Sequence, residues 1–340
     1  MASSLTQVLQ QWHQQKQTTE WVLCTLFDTQ RSSYRKAGAM MMFSGFGHQY
    51  GLLSGGCLES DMLRHARDVM QTNQSKTLTY DANDEDDLTF QLGIGCGGVV
   101  QILLQPVTIE NQYLGLEALF RALQQRQSGI YTQHLPNSDN QTPITPFGEF
   151  LATQNLLPHQ AMISDVDQQR CIRINIKPEP HLLIAGGGYD ARPLAEMAKA
   201  LGWTVSVWDP RPANARKTFF PNVDHLLRMT SSELATFCRD QHVSAAVIMA
   251  HSVSIDADVL SAIQTHPFDY SGLLGPQHRK QAVLHQAKIV ETALPFKLAG
   301  PIGLALGGDT PESIALAILA EIHAVNHGKS AHSLSGIVGD

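Results

Sequence analysis

Hydrophobic and polar positions along the first third of the chain follow helical and strand spacing in turn. The N-terminal segment places apolar residues at the three- and four-residue steps of an amphipathic helix, at Leu5, Val8, Leu9 and Trp12. Strand-like apolar runs follow, interrupted by a second helical pattern, CLESDMLRHARDVM. The strand-like runs are WVLCTLFDT, KAGAMMMFS, SKTLTYDA, DLTFQL and VVQILLQPV. This pattern predicts an α+β domain over residues 1–127.

The pattern changes twice in the rest of the chain. Residues 128–178 are polar and interrupted by prolines, which predicts a connecting segment of loop and short strands. From His181 apolar strands alternate with amphipathic helices, which is typical of a parallel sheet. Residues 179–327 are therefore predicted to form a Rossmann-like domain, followed by a polar tail at 328–340. The expected fold class is α/β, with an N-terminal α+β domain followed by a C-terminal Rossmann-like parallel-sheet domain.

Composition narrows the classes of partner and compartment. The 340 residues are 43% hydrophobic and carry a net charge of −7, which argues against nucleic acid as the main partner. The first residues lack a signal-peptide pattern, and no apolar run approaches the roughly 18 residues that cross a membrane. We therefore expect a cytoplasmic protein without membrane attachment. The five cysteines are spread widely and include no C-x-x-C pair, so we expect thiols rather than disulfides or a structural zinc site.

A glycine loop opens the second domain in the sequence IAGGGYDA. Gly186, Gly188 and Ala191 form a G-x-G-x-x-A pattern between a strand and a helix, and Asp209 ends the next strand. Such a loop lets a pyrophosphate approach the helix N-terminus, while the acid binds a ribose hydroxyl. The pattern predicts a nucleotide or pterin-phosphate site, or alternatively a Rossmann scaffold whose crevice is filled. Asp190 would repel a pyrophosphate unless its carboxylate points away.

Further candidates lie at the carboxyl ends of the predicted strands, where open α/β sheets bind ligands. His251 ends the strand SAAVIMAHS and is either a ligand-binding residue or a polar residue bonded to backbone. Asp256 is interpreted as a helix N-cap. His278, Arg279 and Lys280 form the best local anion patch, or simply a solvated helix start.

Two of the cysteines are flanked by glycines. Cys57 follows Gly55 and Gly56 at the start of a predicted helix, whose positive N-terminal dipole favours thiolate. Glu59 would bond free N–H groups of that helix but would also oppose the thiolate.

The second glycine-flanked cysteine is Cys96, in GIGCGG. Gly97 and Gly98 follow it, and backbone N–H groups in such a loop can form an anion-binding nest. If this loop meets the loop of Cys57, the two thiols form a site with soft ligands for a thiophilic metal or for persulfide sulfur. The alternative is that both are small buried hydrophobes, the role assigned to the remaining cysteines, Cys24, Cys171 and Cys238.

Six segments occur in an order and spacing specific to one protein family. They are SSYRKAGAMMMF, GLLSGGCLES, LGIGCGG, LLIAGGGYDARPLAEMAKALGWTVSVWDPRP, SGLLG and PIGLALGGDTPESIALAILAEI. With them the chain resembles the xanthine dehydrogenase accessory factor family (XdhC/CoxI) along nearly its whole length. Only residues 128–170 lack a clear match.

The resemblance implies a maturation factor rather than a turnover enzyme. Such a factor binds molybdenum cofactor, assists its sulfuration and inserts it into a molybdenum hydroxylase such as xanthine dehydrogenase. It further implies a cysteine desulfurase as sulfur source and a homodimer. Cys57 and Cys96 carry over as candidate cofactor ligands, including ligands of the metal, or as sulfur-handling thiols. The alternative functions are an NAD(P)-dependent oxidoreductase that binds a dinucleotide in the Rossmann crevice, and a scaffold that bridges desulfurase and hydroxylase.

Overall fold

A computed structural model describes the chain as two compact units that meet in sequence between Pro178 and Glu179. The residues described are 4–31, 33–56, 58–81, 98–136 and 144–337. Within these ranges, no helix is both long and apolar enough to cross a membrane. Each unit has its own hydrophobic clusters.

The first unit begins with a helix and continues mainly as strands. Its elements are α1 (Leu5–Gln15), β1 (Trp21–Gln30), β2 (Met40–Ser44), β3 (Gln49–Tyr50), α2 (Glu59–Thr72), β4 (Lys76–Asp81), β5 (Val99–Pro106), α3 (Leu116–Gln124), β6 (Gly129–His134), β7 (Gly148–Ala152), β8 (Ala161–Val166) and β9 (Gln169–Ile176). The helices α1 and α2 lie where the helical spacing predicts them. The predicted strand DLTFQL lies outside the described residues.

Five strands of this unit form an antiparallel sheet in the order β3-β2-β1-β5-β4. Val99, at the start of β5, pairs with Gln30 at the end of β1 and with Asp81 at the end of β4. β3 runs in the same direction as β1, and Tyr50 lies level with Leu23 near the start of β1. At the other end of the sheet, Tyr80 pairs with Val100 of β5 and donates a hydrogen bond of 2.8 Å to Asp61 of α2. The end of β1, the start of β5 and the start of α2 therefore lie at one common end.

Both faces of this sheet are covered, which explains why β1 is apolar at successive positions. Val22, Cys24 and Leu26 face a cluster that includes the buried residues of α2. Trp21 and Leu23 face the opposite cluster, which includes the buried residues of α1 and α3.

The polar stretch that follows α3 forms a second antiparallel sheet, in the order β7-β6-β9-β8. Its apolar residues Tyr131, Ile172 and Ile174 belong to the same cluster as α1 and α3. A buried hydrogen bond of 2.8 Å from Gln133 Nε2 to Gln105 Oε1 links it to the first sheet. The two sheets of this unit thus share one core.

The second unit alternates strands and helices. Its elements are β10 (His181–Ala185), α4 (Ala191–Ala200), β11 (Thr204–Trp208), β12 (His225–Leu227), α5 (Leu234–Asp240), β13 (Ala245–Ile248), α6 (Val253–Ile263), β14 (Tyr270–Leu273), α7 (Gln277–Ala287), β15 (Leu298–Ala299) and α8 (Pro311–Asn326). Thr310 caps α8 and Pro311 occupies its first turn, as the sequence predicts.

The six strands of this unit form a parallel sheet in the order β12-β11-β10-β13-β14-β15. Helices α4 and α8 contribute to the core cluster on one face, and α5, α6 and α7 contribute to the cluster on the other. The direction of chain progression reverses between β10 and β13, which is where open α/β sheets place ligands. The expected fold class is confirmed.

Candidate functional site

A glycine turn precedes α2 in the first unit. Gly55 has φ +81° and Gly56 has φ +110°, values that residues with a side chain rarely adopt. A Cβ atom built on Gly56 would meet no described atom within 4 Å, so the turn is open at this position. A Cβ atom on Gly55 would lie 3.4 Å from the ring of Tyr34.

Glu59, in the first turn of α2, holds this glycine turn in place. Its side chain is buried, with only 4% of the residue exposed. Its carboxylate accepts hydrogen bonds from the N–H groups of Leu53 at 3.2 Å, Ser54 at 2.9 Å and Gly56 at 3.0 Å. The hydroxyl of Ser54 also donates to it. Glu59 therefore binds the preceding turn and not, among the described residues, the free N–H groups of its own helix as the sequence suggested.

Cys57, Cys96 and Gly97 lie outside the described residues. The residues that flank them are placed: Gly56 ends the open turn, and Gly98 is buried directly before β5. Tyr80, which pairs with Val100 near the start of β5, donates a hydrogen bond of 2.8 Å to Asp61 in the first turn of α2, so the start of β5 lies near the start of α2.

The other three cysteines are buried, as expected from the sequence. Burial raises the pKa of the Cys238 thiol to about 12 and raises the pKa of Cys24 and Cys171 above its ordinary value. These thiols are protonated and inaccessible at neutral pH. In the part of the chain that the structure describes, no group of three or more His, Cys, Asp or Glu residues could hold a metal ion.

The glycine loop of the second unit is tightly packed. Gly186 has φ +132°, and a Cβ atom there would lie 2.4 Å from the carbonyl of Met249, at the end of β13. A Cβ atom on Gly187 would lie 2.9 Å from the backbone nitrogen of Ala215. A Cβ atom on Gly188 would lie 3.0 Å from the carboxylate of Asp190, two residues further along the chain. Gly186 and Gly187 are thus needed for contact with the protein's own backbone.

The Asp209 carboxylate, at the end of β11, is fully bonded within the protein. Both of its oxygens accept from the guanidinium of Arg211, at 2.8 and 2.9 Å. Further bonds come from the backbone of Gly187 at 2.8 Å, the backbone of Arg211 at 2.9 Å and the amide of Asn214 at 2.9 Å. Its side chain is 0% exposed. Burial by itself would raise the pKa of Asp209, but these bonds hold the pKa at about 2.

These bonds change what the crevice can bind. A ribose hydroxyl could reach Asp209 only by displacing Arg211 or Asn214. Arg211 is further held by the carbonyl of Ala250, at 2.9 Å, across the end of the sheet. The N–H of Gly187, which a phosphate would need, already donates to Asp209.

His251 and Asp190 meet at the point where the strand order reverses. His251 Nε2 lies 2.6 Å from Asp190 Oδ2, so the Asp190 carboxylate faces the imidazole. His251 has φ +56°, an uncommon value for a residue with a side chain. The carboxylate fixes Nε2, while 59% of the His251 side chain stays exposed.

Two neighbouring interpretations from the sequence are corrected. The N-cap of α6 is Ser252, whereas Asp256 is buried and accepts from Ala250 N at 3.0 Å and from Arg279. Arg279 is thereby committed to an internal ion pair. Lys280 is buried and bonded to Glu291 and to the carbonyl of Leu298, so Arg279 and Lys280 do not form an anion patch.

Comparison with known proteins decides the family. Residues 182–322 match the XdhC Rossmann domain, and residues 14–81 match the XdhC and CoxI family. A protein of Bacillus subtilis (strain 168) described as a probable subunit of xanthine dehydrogenase is 30% identical over 314 residues, which cover 89% of this chain and 92% of that protein. The chain belongs to the XdhC and CoxI family.

Two further proteins are similar to this chain over most of its length. A crystal structure described as a xanthine dehydrogenase from Bacillus halodurans has a TM-score of 0.77, 29% identity and 98% coverage of both chains. The molybdenum cofactor insertion chaperone PaoD of Escherichia coli (strain K12) is 23% identical over 309 residues, covering 89% of this chain and 83% of PaoD. Gly55, Cys57 and Glu59 fall within the XdhC and CoxI match, whereas Cys96 lies beyond it.

Proposed function

We propose that this XdhC/CoxI chain is a maturation factor that binds molybdenum cofactor, assists its sulfuration and inserts it into a molybdenum hydroxylase resembling xanthine dehydrogenase. Two relatives support the role through their names, one as part of a xanthine dehydrogenase and one as a molybdenum cofactor insertion chaperone. The structural observation that carries the proposal is the open turn at Gly56, tied down by Glu59 immediately before Cys57.

The open turn and the neighbouring cysteine suit the metal and dithiolene part of a molybdenum cofactor. Gly56 leaves open space among the described residues, which a side chain would occupy. Thiolates are the protein ligands that thiophilic metals prefer. Cys57 and Cys96 are the two cysteines not assigned to a buried core position, and we propose them as ligands or sulfur-handling thiols.

The chain topology supports a joint role for these two cysteines. Cys57 directly follows Gly56, and Cys96 is two residues from Gly98. Each residue spans at most about 3.6 Å, so Cys96 is tethered within about 7 Å of Gly98. Val99, which follows Gly98, pairs with Asp81, and the neighbouring Tyr80 donates a hydrogen bond of 2.8 Å to Asp61 in the first turn of α2. The described residues that flank the two cysteines thus lie at one end of this sheet.

Within this proposal the remaining partners follow from the family. A cysteine desulfurase supplies the sulfur, the hydroxylase receives the cofactor, and the factor acts as a homodimer. The geometry of the second unit weighs against the alternative of an NAD(P)-dependent oxidoreductase. Asp209, which would bind the ribose, is saturated by Arg211, Asn214 and Gly187.

Cysteine variants test the proposal. Cofactor isolated from a molybdoenzyme is mixed with the wild-type chain, with Cys57→Ala, with Cys96→Ala and with the control Cys171→Ala. Bound pterin and molybdenum are then measured, together with activation of an apo-hydroxylase. We expect both site variants to lose cofactor and activation while the control keeps them. Full cofactor binding and activation by Cys57→Ala and Cys96→Ala would refute the assignment of the two thiols.

A further inference from the structure

Tyr34 is an exposed aromatic residue placed against the glycine turn. The residue is 60% exposed, although tyrosine buries apolar area readily. Three atoms of its ring lie 3.4 to 3.7 Å from the position a Cβ atom on Gly55 would take. These are ordinary van der Waals distances, so the ring of Tyr34 lies directly against the glycine turn.

The location of Tyr34 distinguishes it from other exposed aromatic residues of the same unit. Its loop, residues 31–39, leaves the sheet at the end of β1 and returns to β2. This is the end at which β5 begins and near which α2 starts, since Asp61 of α2 accepts a hydrogen bond from Tyr80 beside the start of β5. Phe46 is equally exposed, at 62%, but lies in the turn between β2 and β3 at the opposite end.

Positive charge at this end of the sheet is a weaker basis for binding a ligand than the ring of Tyr34. Arg35 and Lys36 are exposed beside Tyr34. However, the acidic stretch DANDEDD begins at Asp81, where β4 ends at the same end of the sheet. The Asp81 carboxylate stands at this end together with the two cations, so the charge there is mixed. The aromatic ring, which has no such competitor, is the distinctive feature of the surface.

We propose that the ring of Tyr34 is the surface on which the pterin of the bound cofactor stacks, beside the open side of Gly56. This inference rests on the proposed function, because it names the part of the cargo that the first unit recognises. A planar heterocycle stacks on an aromatic side chain without needing hydrogen bonds of fixed direction. Tyr34 then holds the ring of the cofactor.

The test compares three full-length variants by equilibrium binding of isolated molybdenum cofactor, with retained pterin measured directly. Stacking of a base on an aromatic side chain corresponds to a loss of about 5- to 150-fold on alanine substitution. We therefore expect Tyr34→Ala to bind about tenfold more weakly than wild type. Tyr34→Phe keeps the ring and is expected to bind within about twofold of wild type. Phe46→Ala, the matched control, is expected to bind as wild type does.

Each outcome separates this inference from the proposed function. If wild type binds cofactor and Tyr34→Ala binds equally well, the stacking assignment is wrong and the proposed function stands. If Tyr34→Phe is as weak as Tyr34→Ala, the hydroxyl rather than the ring is responsible and stacking is refuted. If wild type binds no cofactor, both the proposed function and the stacking assignment fall.

Discussion

Replacing Glu59 by alanine should loosen the turn that precedes Cys57 without unfolding the chain. The carboxylate accepts four hydrogen bonds, from three backbone N–H groups and the hydroxyl of Ser54. Removing it leaves these donors without their partner. The turn at Gly55 and Gly56 then has no fixed attachment to the start of α2.

The expected loss is smaller than the sum of the bonds. A hydrogen bond to a charged group contributes about 1.5–3 kcal/mol, so four would give about 6–12 kcal/mol if none were replaced. Ser54 and Gly56 are accessible enough to regain water, whereas Leu53 is buried and its N–H stays unsatisfied. The variant also avoids the cost of burying a carboxylate. We expect a net destabilisation of about 2–4 kcal/mol for Glu59→Ala, and a smaller one for Glu59→Gln.

Two measurements check this expectation. Denaturant unfolding gives the change in the free energy of unfolding, and hydrogen exchange reports the amides of residues 53–56. Asp68→Asn serves as the control, because Asp68 is an exposed acid on the same helix whose ion pairs are 3.7 Å long. Its change should stay within about 0.5 kcal/mol. If Glu59→Ala unfolds like wild type and these amides exchange no faster, Glu59 does not organise the turn.

Three further predictions concern both units. Asp209→Asn should cost about 2 kcal/mol at pH 7, since the pKa of Asp209 is held at about 2, below its ordinary 3.8. This contribution to stability is complete above about pH 4 and is lost as the pH falls towards 2. The free energy of unfolding, measured with denaturant, should therefore fall less steeply with decreasing pH in the variant than in wild type. The same pH dependence in both would contradict the assignment. Alkylation of the native chain, mapped by peptide mass spectrometry, should label only Cys57 and Cys96, and rapid labelling of a buried cysteine would refute its burial. Gly186→Ala should destabilise the second unit by more than about 3 kcal/mol or prevent its folding, because a Cβ would overlap the Met249 carbonyl. The control Gly307→Ala, at a position with φ +80° and open space, should cost about 1 kcal/mol in thermal unfolding. Equal losses in the two variants would refute the packing argument.

The parallel-sheet unit could be predicted from sequence because its strands are buried on both faces. Such strands are continuous apolar runs, as in HLLIAG and SAAVIMAHS, and the helices between them carry ordinary amphipathic spacing. The cap of α8 is predictable from Thr310 and Pro311 alone. Local sequence preference and tertiary structure agree in these elements of the unit.

The second sheet of the first unit is much harder to predict. Its edge strands β7 and β8 are largely exposed and carry polar residues, so the hydrophobic periodicity that would predict them is weak.

In the second unit, helix α7 is recognisable only at its start, because its buried residues include Lys280 beside two apolar positions. A buried lysine with internal partners gives no hydrophobic signal.

The sequence predicts which residues belong to the candidate sites, but not which side chains contact one another there. The sequence identifies the glycine loop and Asp209, yet saturation of Asp209 by Arg211 depends on side-chain direction. An arginine two residues after the acid is the signal that the sequence offers. The pairing of His251 with Asp190 joins residues 61 positions apart and has no local signature. The role of Glu59 is likewise hidden, because its carboxylate turns back towards the chain before its helix.

Copurification tests the proposed maturation role most directly. The chain is expressed in one host that makes molybdenum cofactor and in a matched host that cannot, and bound pterin and molybdenum are quantified after purification. We predict pterin and molybdenum on the chain from the first host and neither on the chain from the second. A chain from the cofactor-producing host that carries neither would contradict the proposal that this protein binds molybdenum cofactor.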